Sequence, residues 1–367
     1  MRIGLALSGG GSRAMAFHLG GLRALNDLGL LDQVGVISTI SGGSVIGAYY
    51  AYTPGKTFSD FEQDVRTILR KGFHRKIVYE LLRPFNLMKC IRGSANAHVS
   101  EMCRCVTGKE PSFERGFSRT DLFATVLERD LFPGLCMSSS RRAGLDVVIG
   151  ACELRMGTAF RFGTTVSGDW RRGRLDQQDV NVAFAVAASA AYPIFLPALD
   201  RTWKFKKGEN VTDHRVLLTD GGVYDNLGMQ VLEPGRNQEV SLHSFPCQYL
   251  IVCNAGHGQD SGLEIPLGFY RRTKRSFEVI HRRVQNSAMG RLHHLKETGA
   301  IQGFVLPYLG QIDERLPWKP GVLVPRKEVT AYPTDFAAMS NEWIDRLSAR
   351  GEQLTRCLLS QHCPELL

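Results

Sequence analysis

Short apolar runs alternate with amphipathic segments at the start of the chain. Residues 2–7 are mostly apolar, which predicts a strand buried on both faces. Residues 12–29 then place apolar side chains at helical spacing and end at a glycine suited to a helix C-terminus. A second apolar run, residues 34–40, is followed by a predicted helix from Ser44 onward. This β-α-β-α order predicts an α/β fold with a mostly parallel sheet and helices on both faces.

The middle of the chain is less regular. Residues 53–142 are richer in basic residues and contain several prolines, so we interpret them as an inserted cap region rather than a separate domain. Further strands are predicted at 145–154, 157–166, 215–222, 247–256 and 301–307. A basic helix is predicted around 269–290, and a C-terminal helical pair at 335–348 and 351–360. We expect a single domain over residues 1–367, with a C-terminal helical extension from about 335 to 367.

One stretch, residues 182–199, has the length of a short membrane span. Alanine supplies most of its apolar character, and Pro193 and Pro197 interrupt its second half. We therefore interpret it as a buried helix followed by an extended segment.

Composition narrows the class of protein. Hydrophobic residues make up 43% and charged residues 22% of 367 residues, which is typical of a globular protein with a substantial core. The N-terminus lacks the pattern of a signal peptide, and the nine cysteines are scattered without zinc-type pairing. His98, Cys103 and Cys105 are close in sequence, but they form only a partial ligand set. We expect a cytoplasmic chain with no metal and no cofactor.

The net charge of +9 is concentrated in two regions. Residues 66–92 hold eight basic side chains and one acid, Glu80, interleaved with large apolar residues. A second basic cluster lies at 271–283. Such segments are typical of surfaces that bind anionic lipid headgroups, but they also occur as solvated faces or in nucleic-acid sites. No nucleic-acid module accompanies the charge, so we expect no nucleic acid and a peripheral contact of the 66–92 region with anionic membrane.

Ser41 ends the second predicted strand and is followed by Gly42 and Gly43. The nucleophile-elbow pattern G-x-S-x-G holds a serine on a strained strand-to-helix turn. Gly43 fits this pattern, whereas Thr39 replaces the first glycine and should place more bulk behind the turn. The following helix would direct its positive end at Ser41, which favours an oxyanion there. A structural βα turn is the alternative interpretation.

The first strand runs into Gly9, Gly10, Gly11, Ser12 and Arg13. Three glycines that open a helix leave backbone amides free to bind an anion. A phosphate loop would need the lysine of a Walker motif, and a dinucleotide site would need an acidic residue after the second strand. Neither is present. An oxyanion hole formed by the glycine amides and Arg13 is the third interpretation.

A third glycine-flanked turn carries a carboxylate. A predicted strand delivers Asp220 into Gly221 and Gly222, at a sheet edge where the sites of α/β proteins gather. Asp220 could accept a proton from a serine, or it could be a turn residue. Asp225 and Asn226, just beyond, are expected to be scaffold residues.

These three elements, in this order, resemble the patatin-like phospholipase family. That family carries a G-G-G-x-R/K loop, a G-x-S-x-G elbow and a D-G-G/A motif; they correspond here to residues 9–13, the turn at Ser41 and residues 220–222. Residues 187–198 are similar to the family's A-S-x-A-x-P-x-x-F-P segment. The resemblance covers about residues 3–230. It implies a three-layer α/β/α fold with a mostly parallel central sheet, and a lipid acyl hydrolase with Ser41 and Asp220 as a catalytic dyad.

Other possibilities remain open at this stage. A triad would need a histidine, for which His243 and His257 are available, whereas His18 in the first helix is expected to be a packing residue. The resemblance favours the dyad. Arg13 could either shape its loop or bind a substrate phosphate. Alternative functions are an effector-gated regulator, an acyltransferase and a nucleotide-binding module that uses the glycine loop.

Overall fold

The computed structural model describes residues 2–109, 113–176, 179–237, 240–258, 265–317 and 321–367. Residues 110–112 of the predicted cap lie outside this description. Within the described residues, ten strands form one sheet in the spatial order β10-β9-β1-β2-β3-β4-β5-β6-β7-β8. The strands are β1 Ile3–Leu7, β2 Val34–Ile40, β3 Asp146–Glu153, β4 Thr158–Gly163, β5 Ser167–Asp169, β6 Gly173–Leu175, β7 Leu199–Lys207, β8 Asn210–Asp220, β9 Tyr249–Cys253 and β10 Gly303–Val305.

The α-helices within the same residues follow the predicted order in the N-terminal part. They are α1 Gly11–Asp27, α2 Gly42–Ala51, α3 Phe58–Lys71, α4 His74–Leu82, α5 Pro84–Thr107, α6 Arg119–Asp130, α7 Val182–Ser189, α8 Gly222–Asp225, α9 Phe269–Glu297, α10 Arg326–Val329 and α11 Asn341–His362. Of the helices in the described part of the chain, none is long and apolar enough to cross a bilayer.

The prediction of a mostly parallel sheet is correct only for one half. Strands β10, β9, β1, β2 and β3 pair in parallel. From β3 onward every pairing is antiparallel, and β8 returns to pair with β3, so that β3 to β8 form a closed antiparallel unit. Tight turns join β3 to β4, β4 to β5, β5 to β6 and β7 to β8, which favours antiparallel pairing, whereas the parallel strands are joined through helices. Strands β6 and β7 are joined through α7 and also pair antiparallel.

Both faces of the parallel half are buried. Along β1, Ile3, Leu5 and Leu7 enter the larger hydrophobic core with α1, α2 and α11, whereas Ala6 points into a second core on the other face. In that second core, residues 227–232 and the C-terminal half of α9 cover the sheet. The expected three-layer arrangement, with helices on both faces of the sheet, is therefore present.

The cap region is mainly helical, with α3 to α6 occupying most of it. Helices α3 and α6 bury apolar side chains, including Phe61 and Phe123, in the larger core. Helices α4 and α5 bury only Glu80 and Gly93 among their residues. The cap is thus fixed to the fold at both ends, and its middle part is exposed.

The predicted C-terminal helical pair is wrong. Residues 341–362 form one helix, α11, and residues 335–340 form an extended segment before it. Gly351, the first residue of the second predicted helix, lies inside α11, where a methyl group would come 2.0 Å from the carbonyl oxygen of Phe17 in α1. The glycine allows two helices to pack closely and does not end one.

Candidate active site

Ser41 lies at the sharp turn from β2 into α2. Its φ of 52° and ψ of −119° make it the one non-glycine residue with positive φ in the described part of the chain. Such backbone strain is typical of a nucleophile elbow. The turn also packs tightly, because a methyl group on Gly42 would lie 2.2 Å from the Gly11 oxygen and one on Gly43 would lie 2.3 Å from the Leu7 oxygen. Only glycine fits at either position.

Thr39, the departure from the elbow pattern, is accommodated by a second glycine. Thr39 is fully buried, and its hydroxyl donates to the carbonyl oxygen of Val148 at 3.3 Å. Its methyl group would lie 2.5 Å from a β-carbon on Gly47. The additional bulk expected behind Ser41 therefore fits, because α2 has no side chain at Gly47.

The glycine loop lies directly beside Ser41. Gly10 and Gly11 have φ values of 142° and 60°, and within the described residues their amides donate to no protein acceptor. The amide of Gly9 donates to the backbone oxygen of Asn226 at 3.2 Å. A methyl group on Gly9 would come 3.2 Å from the β-carbon of Ser41. Gly9 therefore gives space for close approach, and the amides of Gly10 and Gly11 are the open donors.

The guanidinium of Arg13 is buried beside the glycine loop, with one nitrogen 3.3 Å from where a β-carbon on Gly10 would lie. Its guanidinium donates to the backbone oxygens of Ala255 at 3.0 Å and Tyr332 at 3.1 Å, and it contacts His257. Burial lowers the pKa of Arg13 to about 9, against the effect of Asp335. These contacts are those of a residue that shapes the loop, which was one of the two roles expected from the sequence.

Asp220 is the last residue of β8 and is almost fully buried. One carboxylate oxygen accepts the amide of Gly222 at 2.7 Å. Burial raises the pKa of Asp220 to about 6, while hydrogen bonds from the Gly222 amide and the Ser41 side chain limit the rise. A methyl group on Gly221 would lie 2.3 Å from the Gly150 oxygen, so glycine is required in this turn too.

Strand register brings the serine and the carboxylate together. Ile40, just before Ser41, pairs with Gly150 of β3, and Asp220 pairs with the next residue, Ala151. β4 occupies the other edge of β3 at both positions, so β2 and β8 follow one another along the same edge and their two turns meet there. Gly150 has no side chain, and a β-carbon there would lie 2.6 Å from Ile40 Cδ1.

Two residues join these turns, and the role of one of them, Ser189, was not predicted from the sequence. The Ser189 hydroxyl accepts the Ser41 amide at 2.9 Å, and the Ser189 carbonyl accepts the Gly221 amide at 3.1 Å. Asn226 was expected to be a scaffold residue; its side-chain oxygen also lies against both Gly9 and Gly222. Ser189 belongs to the family-like segment 187–198, which pointed to its position near Ser41. No local sequence pattern predicts the packing of Asn226 against Gly9 and Gly222.

The candidate histidines have other partners. His18 is fully buried, and its Nε2 lies 2.9 Å from the Ser8 oxygen, which agrees with the expected packing role. His243 lies 2.8 Å from the Val166 oxygen, and burial lowers its pKa to about 3. His257 contacts Arg13 and the Thr330 oxygen. No described histidine is hydrogen-bonded to Ser41 or Asp220, so the triad has no third member here.

The patatin-like phospholipase family model matches residues 5–232. No curated protein sequence matches the chain at a significant level. Among solved structures, human GIVD cytosolic phospholipase A2 is similar, with a TM-score of 0.53 and 13% identity over 97% of this chain and 61% of the human chain.

Two further solved structures match the chain. The same human enzyme in complex with methyl γ-linolenyl fluorophosphonate and terbium chloride has a TM-score of 0.50 and 14% identity over 97% of this chain and 57% of that chain. VipD from Legionella pneumophila has a TM-score of 0.41 and 13% identity over 98% and 67% of the two chains. The chain thus spans about three fifths of the human enzyme.

Proposed function

The chain belongs to the patatin-like phospholipase family, and we propose that it is a serine hydrolase that cleaves fatty acyl esters of lipids. Ser41 is the proposed nucleophile and Asp220 the proposed base. The amides of Gly10 and Gly11, together with the amide of Gly42, are the proposed oxyanion hole. Gly9, Gly43, Gly221 and Gly222 allow the close packing of the three turns, and Arg13 holds the loop in place.

The proposed reaction has two steps. Ser41 Oγ attacks the ester carbonyl carbon while its proton moves to Asp220, and the open amides bind the oxygen that becomes negative. The C–O bond of the ester then breaks, and the alcohol leaves with the proton from Asp220. In the second step water attacks the acyl-serine, Asp220 accepts its proton, and the proton returns to Ser41 Oγ as the fatty acid leaves.

One observation carries this proposal. Ser41 follows Ile40, which pairs with Gly150, and Asp220 pairs with the neighbouring Ala151, so the serine lies beside a buried carboxylate whose pKa of about 6 is suited to a base that works near neutral pH. A structural aspartate in a turn is usually exposed and keeps a low pKa. The strained φ of Ser41 supports the same assignment.

The proposed substrate is lipid, and the cap is the proposed membrane contact. Helices α4 and α5 expose large apolar side chains next to basic ones, including Leu82 at 68%, Phe85 at 69% and Met88 at 70% exposure. A contiguous apolar surface of this kind is typical of an interaction site. The basic residues of the 66–92 region favour an anionic membrane as the partner.

The first experiment is labelling with a fluorophosphonate, the class of compound bound by the similar human enzyme. Wild type, Ser41→Ala and Asp220→Asn are compared in the presence of detergent or liposomes. We expect labelling of the wild type, none in Ser41→Ala and a loss of about a hundredfold or more in Asp220→Asn. Ser348→Ala is a matched control, because Ser348 is a buried serine of α11 whose hydroxyl donates to Asp345 within that helix, and Ser41 should remain labelled in this variant.

Labelling that persists in Ser41→Ala would assign the nucleophile to another serine.

A reversal of charge at Arg75, Arg83 and Arg92 tests the cap separately. These substitutions should weaken binding to anionic vesicles and leave labelling in detergent unchanged. Equal vesicle binding by this variant and the wild type would exclude the cap as the membrane contact.

A further inference from the structure

The N-terminal half of α9 lies beside one wall of the candidate active site. The ring of Phe277 packs against Tyr192 with ring centroids 6.1 Å apart. Ala191, the neighbour of Tyr192, accepts the backbone amide of Asp220 at 3.1 Å. Burial, with the charges of Glu278 and Asp220 nearby, raises the pKa of Tyr192 to about 12. Residues 277 and 278 of α9 therefore lie close to the segment that holds Asp220.

The next turns of α9 approach the opposite wall. A methyl group on Gly256 would lie 3.8 Å from the Gln285 side-chain oxygen. The preceding residue, Ala255, contacts the glycine loop, since a methyl group on Gly10 would lie 3.6 Å from its β-carbon. Between Phe277 and Gln285, the helix thus extends from the segment beside Asp220 to the segment beside Gly10.

The two halves of α9 are held very differently. In the C-terminal half, Ala288, Met289 and Leu295 pack against the second core around the buried Leu292. Arg291 of this half also forms an ion pair with Glu233. Leu292 is the only buried residue of the whole described helix. The N-terminal half, residues 269–284, therefore has no residue anchored in a core.

Phe277 of this N-terminal half packs inward, but other positions place polar residues inward and apolar residues outward. Glu278 and His281, which face the protein, are partly buried, and burial lowers the pKa of His281. Phe269, Val279 and Ile280 face solvent, with exposures of 79%, 53% and 64%. A surface helix normally turns its apolar residues inward. The outward apolar face of residues 269–284 is thus a surface that lacks its partner.

The charge of this segment identifies the partner. Basic residues outnumber acidic ones six to one; they are Arg271, Arg272, Lys274, Arg275, Arg282 and Arg283, with Glu278 as the acid. A second copy of the chain, joined by a twofold axis, would bring the same basic cluster against itself, and like charges oppose such contact. An anionic bilayer has both the apolar interior and the negative surface that this face requires.

We propose that the outward face of residues 269–284 docks on anionic bilayers, and that docking moves this half of α9 away from Tyr192 and opens the site to lipid. The docking surface is distinct from the cap. The opening of the site to lipid rests on the proposed hydrolase function, whereas the docking of α9 on bilayers does not. The weak anchoring of this half allows the movement, while the C-terminal half stays on the second core.

The test compares vesicle binding with labelling of Ser41. The variant Val279→Asp plus Ile280→Asp removes the apolar face without changing a core. Val211→Asp plus Val322→Asp is the matched control, because these valines are also exposed, at 46% and 83%, but lie elsewhere. Each protein is sedimented with phosphatidylglycerol or phosphatidylcholine vesicles, and its rate of fluorophosphonate labelling is measured with and without them.

We expect phosphatidylglycerol vesicles to bind the wild type and the control and to accelerate their labelling. The α9 variant should bind these vesicles at least about tenfold more weakly, and they should not accelerate its labelling. Arg272→Gln and Arg283→Gln should each lower affinity for these vesicles by about fivefold, with no effect on binding to phosphatidylcholine.

Three results would overturn the proposal or a part of it. Equal vesicle binding by the α9 variant would exclude the docking surface. Weaker binding with unchanged acceleration would exclude the opening step. A wild-type dimer that this variant dissociates, with no vesicle binding by either, would assign the face to a second copy. If no protein is labelled under any condition, the hydrolase proposal fails, and sedimentation alone still decides whether α9 docks.

Discussion

The hydroxyl of Ser189 accepts the backbone amide of Ser41 at 2.9 Å, although the two residues are 148 positions apart in the chain. The same serine accepts the Gly221 amide through its carbonyl oxygen at 3.1 Å. One residue at the end of α7 thus holds both the turn of the proposed nucleophile and the turn of the proposed base. The distance between the two chemical groups depends on a third residue that takes no part in the reaction.

Ser189→Ala should therefore reduce both stability and labelling. The Ser41 amide would lose its acceptor in a buried site, at a cost of about 1–3 kcal/mol in the free energy of unfolding. The strained turn would also be held less firmly, so labelling should slow by about tenfold. Thermal unfolding and labelling rates measure the two effects.

Ser348→Ala is the control for this prediction. Ser348 is a buried serine of α11 whose hydroxyl donates to Asp345 within the helix, far from the elbow. It should change stability slightly and leave the labelling rate unchanged. If Ser189→Ala labels as fast as Ser348→Ala, the bond to Ser41 has no positioning role.

Gly42→Ala should prevent assembly of the site. The new methyl group would lie 2.2 Å from the backbone oxygen of Gly11, and no flexible side chain is present to move aside. The elbow and the glycine loop would separate, so we expect a loss of several kcal/mol in stability and no labelling. Gly290→Ala is the control, because nothing lies within 4 Å of its added methyl group. In the interior of α9 it should raise stability by about 0.5–1 kcal/mol. A Gly42→Ala protein that folds and labels normally would contradict the observed packing.

The sequence was informative where the backbone itself needs a particular residue. The turns that hold Ser41 and Asp220 could be predicted because each residue is followed by glycines that pack against another strand or loop. The parallel strands could be predicted because they are apolar on both faces. Strands β5 and β6 could not, since they have only three residues each and no alternating pattern.

Other features depend on contacts between distant parts of the chain. Ser189, Gly150 and Gly351 have their roles only because of residues that lie opposite them in the fold. The role of a glycine inside a helix, such as Gly351, cannot be predicted until its close neighbour in the fold is known. The outward apolar face of residues 269–284 also requires knowledge of which face of α9 meets the protein.

A buried ion network next to β8 should be important for stability. Arg172 pairs with Glu153 at 2.9 Å and with Asp169 at 2.7 Å, and all three side chains are almost fully buried. Glu153 also accepts the amide of Leu217 in β8, three residues before Asp220. Arg172→Gln would leave two buried carboxylates without their cation, which should cost about 3–5 kcal/mol.

Arg346→Gln serves as the comparison for this network. Arg346 forms an ion pair with Glu342 along α11, but both side chains are well exposed, so its loss should change stability by less than about 1 kcal/mol. Urea unfolding of both variants gives the two values. Similar values for Arg172→Gln and Arg346→Gln would show that the buried network contributes no more than a surface pair.

The buried carboxyl of Asp220 should link activity and stability to pH in opposite directions. Its pKa is about 6 in the folded protein and near its ordinary value of 3.8 after unfolding. Between these two values the folded state binds the extra proton, so stability falls as the pH rises through this window. Above pH 6 the full cost of the buried charge is present, about 3 kcal/mol. The carboxylate is the form that accepts a proton, so the labelling rate should rise with pH as folded Asp220 ionises, with a midpoint near pH 6.

Asp220→Asn separates the two effects, because the amide keeps an acceptor for Gly222 but carries no charge. We expect this variant to be more stable than the wild type at pH 7.5, to approach wild-type stability at pH 5, and to label slowly at every pH. Thermal unfolding and labelling from pH 5 to 8 measure both curves. A wild-type labelling rate that does not change over this range, or an Asp220→Asn protein that is less stable than the wild type at pH 7.5, would mean that Asp220 is not a buried base with a raised pKa. If both curves follow the expectation, the stability that the fold loses by holding this carboxylate in its core is the cost of keeping a base beside Ser41.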